Sequence, residues 1–175
     1  MTEIKGFGEQ NPTAPNETSY DRELRLLKEQ VKRFQEGRVV VKAKDCPLER
    51  TRQGLLRFYL HNLMIHDTVL KDWRVFVHEI HTHSGKHTHQ GGLVIFVLDG
   101  EGYTFVDREK VEWKMGDLIL LPIKPGGVEH QHFNRDPNRP SRWLALIYAP
   151  FQDALAHFLD QKEESPSHTD PRQVT

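Results

Sequence analysis

Apolar residues recur along this chain with two different periods. Between Tyr20 and Glu36 they are Leu24, Leu27, Val31 and Phe34, spaced 3, 4 and 3 in an otherwise charged segment. That spacing puts one narrow apolar stripe on a helix. Ser19 is its expected cap and Gly37 its expected stop. A lone helix of this length is marginal in water, so the stripe is expected to dock on the rest of the chain or on a second subunit.

From Arg38 onward the runs become short and rich in β-branched and aromatic residues. Val39–Val41, Leu55–Leu60, Trp73–Ile80, Leu93–Leu98, Tyr103–Val106, Leu118–Leu121 and Trp143–Tyr148 read as strands. Turn signals separate them: Ser84-Gly85, Gly91-Gly92, Asp99-Gly100, Asp107-Arg108, Gly116-Asp117 and Pro125-Gly126-Gly127. Many short strands joined by Gly and Asp turns predict an all-β antiparallel sandwich or barrel. Pro150 ends the last strand, and Phe151–Leu159 is expected to form a short closing helix. The resulting division is a disordered tail over 1–18, the amphipathic helix over 19–37, a β-barrel over 38–160 and a disordered tail over 161–175.

Composition narrows the function classes. A chain of 175 residues is long enough for one domain with a real core. A formal net charge of −1 gives no support to a nucleic-acid partner or to attraction by a membrane surface. The longest apolar run, Leu93–Leu98, is too short to span a bilayer. The first residues have neither the basic start nor the apolar stretch of a signal peptide. The single cysteine, Cys46, leaves no intramolecular disulfide and reads as a small apolar filler. The simplest expectation is a cytoplasmic protein.

Histidine changes the picture. Of eleven, seven fall at 78, 81, 83, 87, 89, 130 and 132. His87 and His89, at i and i+2, leave the same face of a strand, and so do His130 and His132. Neutral imidazoles bind Zn, Fe, Cu, Ni and Mn. Two imidazoles from one strand and a third from another leave coordination positions open, which is a catalytic layout; structural zinc sites are closed and rich in Cys.

The stretch from His87 to Asn134 resembles the two motifs of the cupin superfamily. His87-Thr88-His89, Gly91-Gly92 and Gly100 stand in the first motif; Gly116, Pro122, His130 and Asn134 stand in the second. The resemblance implies a double-stranded β-helix (jelly-roll) barrel, here with an N-terminal amphipathic helix and a short C-terminal helix. It also implies that His87, His89 and His130 bind a divalent metal. The acidic ligand that the first motif carries at about Leu93 or Val94 is missing, which leaves three histidines. His132 is the alternative third ligand; with His130 in place it is the candidate catalytic residue, orienting substrate or accepting a hydroxyl proton.

Among cupins, such a site is similar to the gentisate and salicylate type of dioxygenase. That similarity implies Fe(II), with Mn, Ni or Zn as alternatives, dioxygen, and a small hydroxylated aromatic or carbonyl substrate. A metal-dependent lyase or isomerase, or a non-catalytic small-molecule or metal sensor, would use the same ligands. Arg57, His81 and Phe96 are the candidate substrate contacts. His81 and His83 share the parity of Val77 and Glu79 and are placed toward the cavity, whereas His78 is placed outside. His61, His66, His157 and His168 read as surface residues. A homodimer is the expected assembly.

Overall fold

A computed structural model describes residues 17–155 and 158–170. Most of the expected N-terminal tail, and His157, lie outside the described residues. The chain divides into two compact units, Met1–Gly37 and Arg38–Thr175.

The first unit carries helix α1 (Ser19–Glu36). Its cap is Thr18, one residue before the expected Ser19. The Thr18 hydroxyl accepts from the Asp21 amide, and the Asp21 carboxylate accepts from the Thr18 amide, which closes a capping box. Gly37 ends the helix, with its N–H on the Arg33 carbonyl. Among the described residues no helix is long and apolar enough to cross a membrane.

The second unit contains β1 (Glu49–Thr51), β2 (Gly54–Leu60), β3 (Trp73–Ile80), β4 (Lys86–His89), β5 (Leu93–Asp99) and β6 (Glu101–Val106). These are followed by β7 (Glu109–Lys114), β8 (Leu118–Leu121), β9 (Val128–Asn134), β10 (Ser141–Tyr148), α2 (Ala149–Ala154), β11 (Leu159–Glu163) and α3 (Pro166–Thr169). One sheet runs β1-β2-β3-β10-β5-β8 and the other β11-β4-β9-β6-β7, and every strand pairing is antiparallel. The turn-punctuated strands predicted an antiparallel sandwich or barrel, and the arrangement is the jelly roll that the cupin resemblance implied.

Alternation places the core. Leu93, Ile95 and Val97 on β5 are buried together with Trp143, Ala145 and Ile147 on β10, while Phe96 and Leu98 face out. Phe76 and Ile80 bring β3 into the same cluster.

Four elements differ from the sequence expectation. Val39–Val41 is not a strand; the chain there makes only an isolated bridge from Arg38 to Thr68. β7 is a full strand despite its charged sequence, because backbone pairing with β6 holds it and Trp113 alone is buried. The closing helix is shorter than expected, ending at Ala154. Of the segment 161–175, expected to be disordered, residues 161–170 instead continue β11 and form α3, and 171–175 lie outside the described residues. Leu159 pairs with His89 and Gln161 with His87, so the charged sequence is an added edge strand beside β4.

Glycine stitches the two histidine-bearing regions together. The Gly92 N–H donates to the Leu121 carbonyl at 2.9 Å. A side chain at Gly91 would fall inside the Pro122 carbonyl, a backbone group that cannot swing aside. Gly91→Ala is therefore expected to destabilise the barrel by about 3 kcal/mol or more, read as a lowered urea midpoint. An unchanged midpoint would mean the two loops separate without cost.

Candidate metal centre

The register of β4 against β9 builds the site. His87 sits directly opposite His130, and His89 lies one same-face step along β4. All three are buried. Their ring centroids are 4.3 Å apart for His87–His130, 4.6 Å for His89–His130 and 5.3 Å for His87–His89. One ring nitrogen from each lies within 4.8 Å of the others. The structure thus brings together the three histidines read from the sequence.

Backbone carbonyls orient these rings. His87 Nδ1 contacts the Gly85 carbonyl at 3.2 Å, His130 Nδ1 contacts that of Val128 at 3.1 Å, and His89 Nδ1 contacts that of Gln90. A carbonyl only accepts, so each Nδ1 carries its proton and each Nε2 keeps its lone pair. Burial lowers the His87 pKa to about 4. Burial, with the neighbouring imidazoles, holds His130 well below the usual histidine range. Three neutral imidazoles with converging lone pairs are a donor set that suits a divalent metal.

His132 has the opposite hydrogen-bond pattern. Trp113 Nε1–H donates to Thr104 Oγ1 at 2.9 Å, and Thr104 Oγ1 lies 2.7 Å from His132 Nδ1. Thr104 is fully buried, so its hydroxyl proton is best used on His132 Nδ1. That network assigns the proton of His132 to Nε2. The two candidate third ligands differ in this assignment: His130 offers a lone pair at Nε2, whereas His132 offers a donor. Burial keeps His132 neutral as well.

A cavity of about 470 Å³ opens on the cluster. Phe58, Phe76, Leu93, Trp143 and Ile147 give it apolar walls. Leu93 stands near where an acidic ligand was sought, and no Asp or Glu lines the cavity among the described residues.

The three expected substrate contacts lie elsewhere. Arg57 donates to the carbonyls of Ala43 and Cys46, on the face of β2 opposite Leu56 and Phe58. His81 has passed the end of β3 and pairs with Glu79 at 3.0 Å. Phe96 faces outward on β5, 40% exposed. His83 also turns away from the cavity, contacting the Ser84 carbonyl and Gln131.

Among the cavity residues missed by sequence are His78, Arg74, His61 and Gln152. His78 was placed on the outer face, yet it is 2% exposed and its ring lies 4.7 Å from that of Trp143. Both faces of β3 carry apolar residues, so alternation alone could not select the inward one. The pairing of His78 with the inward Trp143 of β10 selects it. Asn134 does not line the cavity; its amide donates to the carbonyls of His81 and Arg139 and pins the turn after β9.

The two-sheet jelly roll with inward histidines on two paired strands is similar to the cupin barrel. Residues 75–147 match the family model described as "Cupin domain". An 82-residue stretch is 35% identical to a gentisate 1,2-dioxygenase of Ralstonia sp., covering 45% of this chain and 22% of that one. The chain thus spans about a fifth of that relative.

Two solved structures share the fold. Salicylate 1,2-dioxygenase of Pseudoaminobacter salicylatoxidans, in complex with gentisate, aligns with 20% identity and a TM-score of 0.50, covering 84% of this chain and 38% of that one. Streptomyces PAC13 with uridine aligns with 12% identity and a TM-score of 0.53, covering 77% of this chain and 98% of that one.

Proposed function

We propose that this chain is a mononuclear metal-dependent cupin enzyme, an Fe(II) dioxygenase acting on a small hydroxylated aromatic or carbonyl compound. The observation that carries the reading is the cluster of His87, His89 and His130, with each Nδ1 tied to a backbone carbonyl and, among the described residues, no acidic group on the cavity lining. The matched stretch of the gentisate 1,2-dioxygenase relative supports the choice of reaction.

His87, His89 and His130 would hold the metal. When bound, ferrous iron supplies Lewis acidity and the one-electron steps that dioxygen chemistry needs. The chain's own residues do the rest. Phe58, Phe76, Leu93, Trp143 and Ile147 exclude water and fit a flat ring. His132, held neutral and positioned by Thr104, directs Nε2–H at a substrate oxygen and orients it. In that tautomer it donates to substrate, and taking up a substrate proton is not its first role.

Anaerobic reconstitution with ferrous iron tests the reading. We expect about one iron per chain, and iron-dependent oxygen uptake with at least one member of a panel of phenols, hydroxylated aromatic acids and β-diketones. Iron binding without oxygen uptake on a panel of phenols and β-diketones would sink the dioxygenase assignment.

A second reading has an observation of its own. A PAC13 structure is described as that of a nucleoside dehydratase, and nearly the whole of that chain is covered by this one. Turnover with Zn or Mn in the absence of oxygen would select a non-redox lyase.

A further inference from the structure

The end of the cavity away from the histidine cluster holds polar groups that metal binding does not explain. Arg74 leaves β3 on the same face as Phe76 and His78. At ~3.3 Å per residue its Cα stands about 13 Å along the strand from that of His78. Its Nη2 donates to Asn62 Oδ1 at 3.3 Å, and its Nε is buried without an acceptor among the described residues. Asp153 is the carboxylate that acts on it electrostatically.

Two more donors share this end. Gln152 is 3% exposed, and its Nε2 is buried without an acceptor among the described residues. His61 Nδ1 accepts the Leu63 N–H at 3.2 Å, which puts its own proton on Nε2. All three side chains line the cavity that contains the histidine cluster. Arg52, also on the lining, already has a partner in Glu164 at 3.5 Å. Leaving buried donors unmatched is costly, and a guanidinium most of all. One bound oxyanion would satisfy them together.

We propose that Arg74, Gln152 and His61 form an anion subsite at the end of the cavity away from the histidine cluster, which binds a carboxylate of the substrate while its other end reaches that cluster. A single uncompensated guanidinium matches a monoanion, and its planar fork matches a carboxylate. A phosphate dianion would bring one charge too many. The apolar stretch between, walled by Phe58, Phe76 and Ile147, takes the body of the ligand.

The substrate class follows from the separation of the two ends. The carboxylate stands across the ring from the oxygen that approaches the histidines. An ortho-hydroxy acid would send both groups to one end and leave Arg74 unmatched. The proposal rests on the reading of the histidine cavity as the substrate site.

The test uses the full chain stripped of metal, so that a failed oxygen assay leaves it undisturbed. Calorimetric titration with 4-hydroxyphenylacetate, 4-methylphenol, salicylate and 4-hydroxybenzyl phosphate compares the arms. We expect 4-hydroxyphenylacetate to bind about 10- to 100-fold tighter than 4-methylphenol, the range for a hydrogen bond to a charged group. It should also bind more tightly than salicylate and the phosphate. Arg74→Gln should remove that preference, Arg74→Lys should restore part of it, and Gln152→Leu should reduce it. Unchanged binding of 4-methylphenol marks each variant as folded with its cavity intact. An unchanged preference in Arg74→Gln, no preference in the parent chain, or tighter binding of the phosphate would overturn the proposal.

Discussion

His130→Ala is expected to abolish stoichiometric metal binding, with affinity falling by more than about 100-fold. Loss of a partner that merely orients a ligand costs 10- to 100-fold, and loss of the ligand itself should cost more. His87→Ala should behave alike, since the two rings face each other across the β4–β9 pair. His132→Ala is the informative contrast. Its proton is assigned to Nε2 by the chain from Trp113 through Thr104. It should therefore keep about one metal per chain, with affinity changed by less than ~10-fold. Metal analysis of the three variants, purified without chelator, reads the outcome. Loss of metal from His132→Ala with retention in His130→Ala would reverse the assignment of the third ligand.

Lowering the pH from 6 to 5 should cost the metal-free chain about 4–5 kcal/mol of stability, comparable to the whole stability of many domains. Four buried imidazoles are responsible. Burial lowers His78 to about 3 and His87 to about 4, and it holds His130 and His132 well below the usual histidine range. In the unfolded chain each titrates near 6.5.

The sign follows from proton counts. Above about pH 7 neither state is protonated, and the stability is fully present. Between about 6.5 and the folded values the unfolded state binds the protons, so stability falls as pH falls, by up to about 1.4 kcal/mol per group per pH unit. Urea unfolding from pH 7.5 to 5 should show the slope, and His78→Gln should reduce it by about a quarter. Bound metal should delay the fall, because protons and metal compete for His87, His89 and His130. A flat profile between pH 7 and 5 would mean that the imidazoles are not held neutral.

Parity made the centre of this site legible. Two HxH pairs on strands need only alternation to present four imidazoles inward, and the β4–β9 register supplies the rest. The glycines between them were legible as turns, and the structure adds what Gly91 does, which is to let the chain pass against Pro122. The far end of the cavity was not legible. Arg74 and His78 sit on a strand with two apolar faces, so no pattern marks the inner one. His61 and Gln152 come from a loop and a short helix, where no periodicity applies. Arg57 and Phe96, expected as substrate contacts, are not on the cavity lining, because both point out of the barrel on strands whose neighbouring residues point in.

β11 escaped for another reason. Leu159–Glu163 is an edge strand with little buried surface, held by backbone pairing to β4 and by the side chain of Gln161. Such a strand leaves almost no hydrophobic signature. Beyond it, Ser165 ties the chain to the carbonyls of His83 and Arg52, which closes the wall beside the histidines.

That wall sets an order in time. During synthesis the four inward histidines of β4 and β9 are all present once His132 has been added, but Gln161 is still twenty-nine positions away. At roughly 5–20 residues per second, about 1–6 s pass before the covering strand exists. Until then β4, once paired with β9, carries its two histidines on a strand whose other edge has no partner. On a polysome, nascent copies of this chain lie close together, and the seconds before β11 arrives are when that edge most needs to be kept apart from its neighbours.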